Sequence, residues 1–377
     1  MHRKDVRAVT ERKRRYRRFL LIALVLALLG GGVYGCRHLE ASGEAAGRNV
    51  YQIECSTRSV MAAETGETGR PRVRVCGAPV GIYMETEGVL IIDAGEIQTM
   101  DGQKSAPADN IVQPGDYIQE VDGRTLENKN QLIRQVAESQ GKPMVLDVMR
   151  HGEPVELQLT PVLDSSGAYK LGIWVRDNIQ GIGTMTYVEA DGSFGALGHG
   201  ISDVDVGEIL QVGAGELYQA DILSVVKGQD GSPGELQGVI HYYPGDQIGE
   251  ITDNSRVGIY GKLYGEAVEA LPLKTVEIGW KQEVEPGPAT VLCSADGKVG
   301  EYDIEVTEID WSQQDTNKCF TIRVTDPELL EQTGGIVQGM SGSPILQNGR
   351  LIGAVTHVFV SDAASGYGIF IENMLQH

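Results

Sequence analysis

The sequence predicts a mainly β protein with two folded regions behind an N-terminal apolar helix, and three observations predict it. The 377-residue chain holds 49 glycines against 5 phenylalanines and 3 tryptophans. That balance suits many short strands joined by turns, because glycine supplies the positive φ angles that turns need. Beyond residue 76, Val/Ile/Tyr-rich segments alternate in hydrophobicity and are punctuated by Gly, Pro-Gly and Asp-Gly. Residues 19–33 form an unbroken apolar run behind a basic head. At 41% hydrophobic and 22% charged, the chain has a folded composition and the length of two ordinary domains.

The N-terminus comes first. Residues 1–18 carry nine Lys/Arg against Asp5 and Glu11, a net of +7, while the whole chain is −20, which leaves −27 for the remainder. An acidic body is unsuited to nucleic acid, whose phosphates are held by cationic faces. Positive residues stay on the cytoplasmic side of a membrane helix. The expected order is therefore a cytoplasmic segment 1–18, a transmembrane signal-anchor 19–35, a Gly/Ala/Ser/Thr/Glu-rich linker 36–75, and the rest outside the cell membrane. A cleaved signal peptide is the alternative, but no small-x-small cleavage site is visible. A lipoprotein acylated at Cys36 is a third, which Tyr34 fits poorly. The cysteines Cys36, Cys55, Cys76, Cys293 and Cys319 contain no CxxC pair and no zinc-type spacing. No metal or cofactor is expected. Cys293 with Cys319 is an open disulfide pairing in an exported domain.

Residues 76–163 come next. Strand-like segments at 80–84, 89–92 and 117–121 precede residues 128–139, which place Leu132, Ile133 and Val136 on one helix face. Segments 143–150 and 154–161 alternate around His151-Gly152, a hairpin signature. With Pro114-Gly115-Asp116 and Asp122-Gly123-Arg124 between them, this order resembles a PDZ domain of the bacterial protease type. The resemblance implies an α+β module that binds a peptide C-terminus as an added strand, with its carboxylate held by backbone amides at Val80, Gly81 and Ile82. A PDZ fold retained as a spacer is the plainer reading.

Residues 172–377 read as all-β with a short C-terminal helix. Their strongest local signal is Gly339-Met340-Ser341-Gly342-Ser343-Pro344. A serine nucleophile needs a tight glycine-flanked turn that presents Oγ and points two N–H groups at the attacked carbonyl oxygen. The hexapeptide resembles the Gly-Asp-Ser-Gly-Gly-Pro turn of chymotrypsin-like enzymes. On that resemblance Ser341 is the nucleophile, Gly339 and Ser341 supply the oxyanion-hole amides, and the region is a double β-barrel. Ser343, directly before Pro344, is the rival nucleophile, and a Gly/Ser/Pro turn without chemistry is the plain alternative. The apolar strand 351–360 and the Gly366-Tyr-Gly368 segment follow. By the same resemblance they wall the substrate pocket, through Thr356, His357, Gly366 and Gly368.

The base is a histidine, the side chain that titrates near neutrality unperturbed. His199, in a loop between Gly198 and Gly200 after a strand, is favoured over His241 beside two tyrosines and His357 inside an apolar strand. For the carboxylate that orients it, Asp203, Asp205, Asp221, Asp246 and Asp326 remain open.

Longer matches narrow the reading. Leu171-Gly-Ile-Trp-Val-Arg-Asp177, Gly181-Ile-Gly-Thr-Met-Thr186, Phe194-Gly-Ala-Leu-Gly-His-Gly-Ile201 and Gly334-Gly-Ile-Val-Gln-Gly-Met-Ser-Gly-Ser-Pro344 resemble the stage IV sporulation protein B peptidases of endospore-forming Firmicutes. The resemblance implies His199 and Ser341 as the catalytic pair and Asp326 as the acid. It also implies a role. The enzyme is exported into the space between the two forespore membranes, cleaves itself, and cleaves a membrane-bound regulator to release intramembrane proteolysis of a pro-sigma factor. A catalytically silent membrane-anchored PDZ adaptor is the alternative from another class, because it needs no reactive serine.

Overall fold

The computed structural model describes residues 69–376, apart from 204, 205, 208 and 244. The expected head, the anchor 19–35, most of the linker, Cys36 and Cys55 lie outside the described residues. Among the described residues no helix is long and apolar enough to cross a membrane.

The chain is mainly β. Strand β1 (Arg72–Val75) is followed by β2 (Pro79–Ala94), the short hairpin β3 (Ile97–Gln98) and β4 (Lys104–Ser105), β5 (Tyr117–Val121) and β6 (Arg124–Thr125). Helix α1 (Lys129–Glu138) leads to β7 (Met144–Arg150), β8 (Glu153–Leu159), and the pair β9 (Val162–Leu163) and β10 (Tyr169–Lys170). Next come β11 (Ile173–Val188), β12 (Ser193–Ala196), β13 (Val212–Val226), β14 (Glu235–Ile240), β15 (Gln247–Ser255) and β16 (Gly258–Leu263). After α2 (Gly265–Ala270) the chain forms β17 (Lys274–Ile278), β18 (Gly287–Ser294), β19 (Val299–Ile309) and β20 (Phe320–Val324). Helix α3 (Pro327–Thr333), β21 (Pro344–Gln347), β22 (Arg350–Phe359), β23 (Asp362–Phe370) and α4 (Ile371–Leu375) complete it.

Strand pairing makes two closed circuits. In the first, the N-terminal half of β2 pairs with β11 and β13, and β11–β12–β16–β15–β13 returns to the start. Val80, Ile82, Met84, Met185, Phe194, Leu217 and Ile259 fill it. In the second, β22–β21–β18–β19–β20–β23 returns to β22. The alternation in β19 shows how sequence drives this: Tyr302, Ile304 and Val306 are buried while Glu301, Asp303 and Glu305 face water. Strand β1 joins the circuits, pairing with β11 on one side and with β17 on the other.

A third packing unit is inserted into the first circuit. Its core holds Val89, Ile91, Ile118, Val121, Leu146, Val148 and Leu159, covered by Leu132 and Val136 of α1. Helix α1 starts because Asn128 caps it, accepting the Gln131 amide at 3.1 Å. Strands β2 and β11, 16 residues each, run through both units. Register shifts at Trp174/Val175 and Arg176/Asn178 mark the passage between them.

Packing divides the chain differently from the boundaries expected at 76 and 163, since Leu171, Tyr169, Ile173 and Val175 pack with the PDZ-like core. Residues 79–85 belong to the first circuit, and the PDZ-like unit begins only at about Val89. Val80, Gly81 and Ile82 are paired on both sides, Ile82 with Gly181 and with Leu217. Val80 and Ile82 are buried. Their amides serve the sheet, so they hold no peptide carboxylate. Cys76, Cys293 and Cys319 are buried free thiols, so Cys293 and Cys319 form no disulfide.

Candidate active site

The serine turn belongs to the second circuit but is gripped from the first. In β11 the Thr184 amide donates to the Ser341 carbonyl at 3.0 Å. Thr184 Oγ1 donates to the Gly339 carbonyl and Thr186 Oγ1 to the Gly342 carbonyl, both at 2.7 Å. Gly342 is obligatory: its φ is +94°, and a Cβ there would lie 2.1 Å from the Thr184 carbonyl oxygen.

The amides of the turn divide cleanly. Gln338 N–H donates to Gly234, Met340 N–H to Val337, Gly342 N–H to Val355 and Ser343 N–H to Met340. The Gly339 and Ser341 amides donate to no acceptor among the described residues. Two such donors flanking one serine are what a developing oxyanion requires. Ser343 Oγ is buried without a hydrogen-bond partner, behind the turn.

The Ser341 hydroxyl donates to the Thr356 carbonyl at 2.7 Å. Thr356 is buried, its own hydroxyl bonded to the Asn317 carbonyl at 2.8 Å. The next residue of β22, His357, places its ring 4.9 Å from that of His199, tilted by 36°. His199 Nδ1 lies 2.9 Å from the Gly200 carbonyl. A carbonyl only accepts, so this contact places the proton of the neutral ring on Nδ1 and leaves Nε2 with the lone pair of a base. Asn254 of β15 secures the same loop, accepting the Ile201 amide at 2.8 Å and donating to the Ile201 carbonyl at 2.9 Å.

Electrostatics favour the neutral imidazoles. Burial holds His199 below its ordinary 6.5, opposed by the Gly200 carbonyl. Burial also drives His357 down to about 4, helped by the charges of His199 and Lys318.

The structure thus gathers Ser341, His199, Thr356 and His357 and leaves Asp326 elsewhere. Asp326 caps α3, accepting the Glu328 and Leu329 amides at 2.9 and 3.0 Å, and receives the Asp303 amide at 3.3 Å. Asp203 pairs with Arg176, and Asp221 lies 3.0 Å from His241. Asp246 closes a turn with Tyr243. Asp205 lies outside the described residues. Among the described residues no carboxylate hydrogen-bonds to His199.

The pocket assignment also shifts. A Cβ at Gly368 would lie 2.3 Å from the Phe320 ring, and one at Gly366 2.5 Å from the His357 carbonyl and 2.8 Å from Ile336. Both glycines are required by interior packing. Tyr367 between them stacks edge-on against Phe359 at 4.6 Å. It borders an open groove of about 610 Å³ with Gly231, Val358, Phe359, Val360 and Ser361. Sequence reasoning missed Thr184, Thr186 and Asn254. A pair of buried threonines two apart in one strand was the available signal.

A serine held in a glycine turn with two undonated amides, beside a neutral buried imidazole, is the equipment of a serine peptidase. A family model described as SpoIVB peptidase S55 matches residues 167–375. That is more than half of the chain, and the protein belongs to that family and is a serine peptidase. Three solved structures are also similar. The PDZ domain of the SdrC-like protein from Listeria monocytogenes is 19% identical over 24% of this chain and 87% of that one, with a TM-score of 0.19. The inactive form of Rv3671c protease is 15% identical over 52% of this chain and 81% of that one, TM-score 0.30. Its active form, from M. tuberculosis, is 14% identical over 52% and 74%, TM-score 0.30.

Two expectations test this geometry. Asp326→Asn keeps an Ncap acceptor, so serine-directed phosphonate labelling should proceed within about twofold of wild type, the change being confined to a few tenths of a kcal/mol in the cap. Abolished labelling with an unchanged melting temperature would return Asp326 to the catalytic set. Secondly, a histidine whose value is lowered on folding stays neutral to a lower pH than usual. The acid limb of the labelling rate should therefore have its midpoint below 6.5, and a midpoint at or above that value contradicts the buried-base geometry.

Proposed function

We propose that the protein is a membrane-anchored endopeptidase acting outside the cell membrane. It cleaves itself and a membrane-bound regulatory protein, and so switches on intramembrane proteolysis of a pro-sigma factor during sporulation. The single observation that carries the peptidase chemistry is the pair of undonated amides, Gly339 and Ser341, flanking the Ser341 hydroxyl. The two closed six-strand circuits, with the serine turn held between them, support a chymotrypsin-like double barrel. Family membership supports the sporulation role, and the basic head before the apolar run supports the anchor with its N-terminus inside.

In the reaction, His199 Nε2 takes the proton from Ser341 Oγ as it attacks the peptide carbonyl, and later delivers it to the leaving amine. The Gly339 and Ser341 amides stabilise the oxyanion, a contribution of about 3 kcal/mol per donor in comparable sites. Full-length protein in detergent should label with a fluorophosphonate and fragment itself, whereas Ser341→Ala should do neither. A variant that still fragments would remove Ser341 from the reaction.

The peptide-recognition role of the PDZ-like unit moves to a different edge. Among the described residues, 173–177 of β11 pair only with β2, leaving one edge without a strand partner next to α1, whose Lys129 amide donates to Asp177. Gly172 precedes them at φ +71°. Ile133 of α1 is 61% exposed although apolar, as a groove-lining residue would be. A substrate C-terminus adding as a strand there fits this arrangement. Trp174, 68% exposed, is a built-in reporter. A peptide with an apolar C-terminus should change its emission, its amidated form should not, and Ile133→Asp should weaken the effect. Equal responses to both peptides, or none, would favour the spacer reading.

A further inference from the structure

Four residues after His199 lies Asp203, a carboxylate only 1% exposed. Its partner is the guanidinium of Arg176. Arg176 stands on the stretch of β11 that pairs with β2 within the PDZ-like unit, Leu90 being its register partner. Asp203 also ties its own loop, accepting the Val206 amide at 3.1 Å through Oδ1 and the Gly207 amide at 2.7 Å through its carbonyl. Alongside, Leu90 and Tyr117 of the PDZ-like unit bury Leu210, with Met149, Ile179, Ile201 and Val206 packed around them. From the opposite side Asn254 of the first circuit bonds to both ends of the loop, at Ile201 and at the Leu210 carbonyl. The loop carrying His199 is therefore seated between two units, and its buried charge is on the PDZ-like side.

A buried carboxylate is costly unless paired, and losing one partner is costlier than never having the pair. Lifting the loop from the PDZ-like unit would separate Asp203 from Arg176, so this ion pair resists any displacement of the base. We propose that Arg176 and Asp203 are positioning residues for His199, which makes the PDZ-like unit a structural part of the active site rather than only a peptide receptor. The inference rests on His199 acting as the base. Among the described residues the Gly200 carbonyl on its own loop and the His357 ring of β22 bear on the His199 ring, and Lys318 bears on His357. Arg176 and Asp203 act on its place, not by touching it.

The test uses the full chain in detergent and the rate of fluorophosphonate labelling across pH. Arg176→Gln should slow labelling by about ten- to a hundredfold, the range for displacing a catalytic group by about an ångström. It should also move the acid midpoint upward, because a loosened His199 regains water. Arg176→Lys keeps the charge and should recover most of the rate and the original midpoint. Asp203→Asn should behave like Arg176→Gln. Should it fail to fold, the two Arg176 variants decide alone. A wild-type rate in Arg176→Gln, or a slower rate with an unmoved midpoint, would overturn the proposal by reducing the pair to ordinary packing. Wild-type protein that does not label at Ser341 at all would instead remove the peptidase assignment beneath it.

Discussion

The placing of the candidate serine turn depends on three hydrogen bonds that cross to it from β11. Thr184 and Thr186 take the carbonyls of Gly339, Ser341 and Gly342. Each bond contributes only about 0.5–1.5 kcal/mol net, yet losing a buried partner strands an acceptor at greater cost. Their value is positional. With three carbonyls of the turn claimed by the first circuit, the amides of Gly339 and Ser341 are left without internal acceptors. The first circuit also carries His199, and the Thr184 carbonyl accepts the Leu197 amide two residues before it at 3.3 Å, so β11 reaches both candidate groups. Threonine suits both positions, since its branched side chain favours the strand and its hydroxyl reaches the neighbouring backbone.

The same strand explains where sequence reading succeeds and fails. Gly339-x-Ser341-Gly342-x-Pro344 is legible because its meaning is local: Gly342 needs φ +94°, and no side chain fits there. His199 between two glycines is legible for the same reason. The role of Val80-Gly81-Ile82 is not. All three residues pair with strands about a hundred residues or more away, and nothing in a three-residue stretch encodes that pairing. The polar stretch 85–88 interrupts the apolar pattern of β2, but such an interruption reads as a turn between two strands of one module, so the passage from one packing unit to another is not recognisable from it. An inserted module with shared strands looks, in one dimension, like a module placed in front.

Asp326 differs, because a competing signal is visible in the sequence. Asp before Pro327 and Glu328 is a helix-start pattern: cap acceptor, proline at the first turn, acid at the positive end of the dipole. Both oxygens of the carboxylate are engaged by backbone amides. A side chain that secures its own helix in this way, with Cys293 and Tyr302 as its electrostatic neighbours, is not available to an imidazole in the other circuit. A family motif transfers a residue; it does not transfer the packing around it.

Among the described residues Nδ1 of His199 meets a carbonyl and no carboxylate, and that contact sets how the imidazole works. The Gly200 carbonyl fixes the tautomer, which is the geometric half of the usual acid's task. As a dipole it gives less to the imidazolium that forms during acyl transfer than a full negative charge would. Burial opposes that cation further. The Ser341 hydroxyl, meanwhile, is satisfied by the Thr356 carbonyl. Both features push the same way, toward a resting state in which the proton stays on oxygen. Attack requires Oγ to exchange Thr356 for Nε2, and catalytic hydrogen bonds commonly tighten only once substrate is bound. A peptidase gains from that bias. Its reactivity then depends on occupancy of the cleft, and the positions of His199 and of the turn, both held through β11, decide how far the exchange has to go.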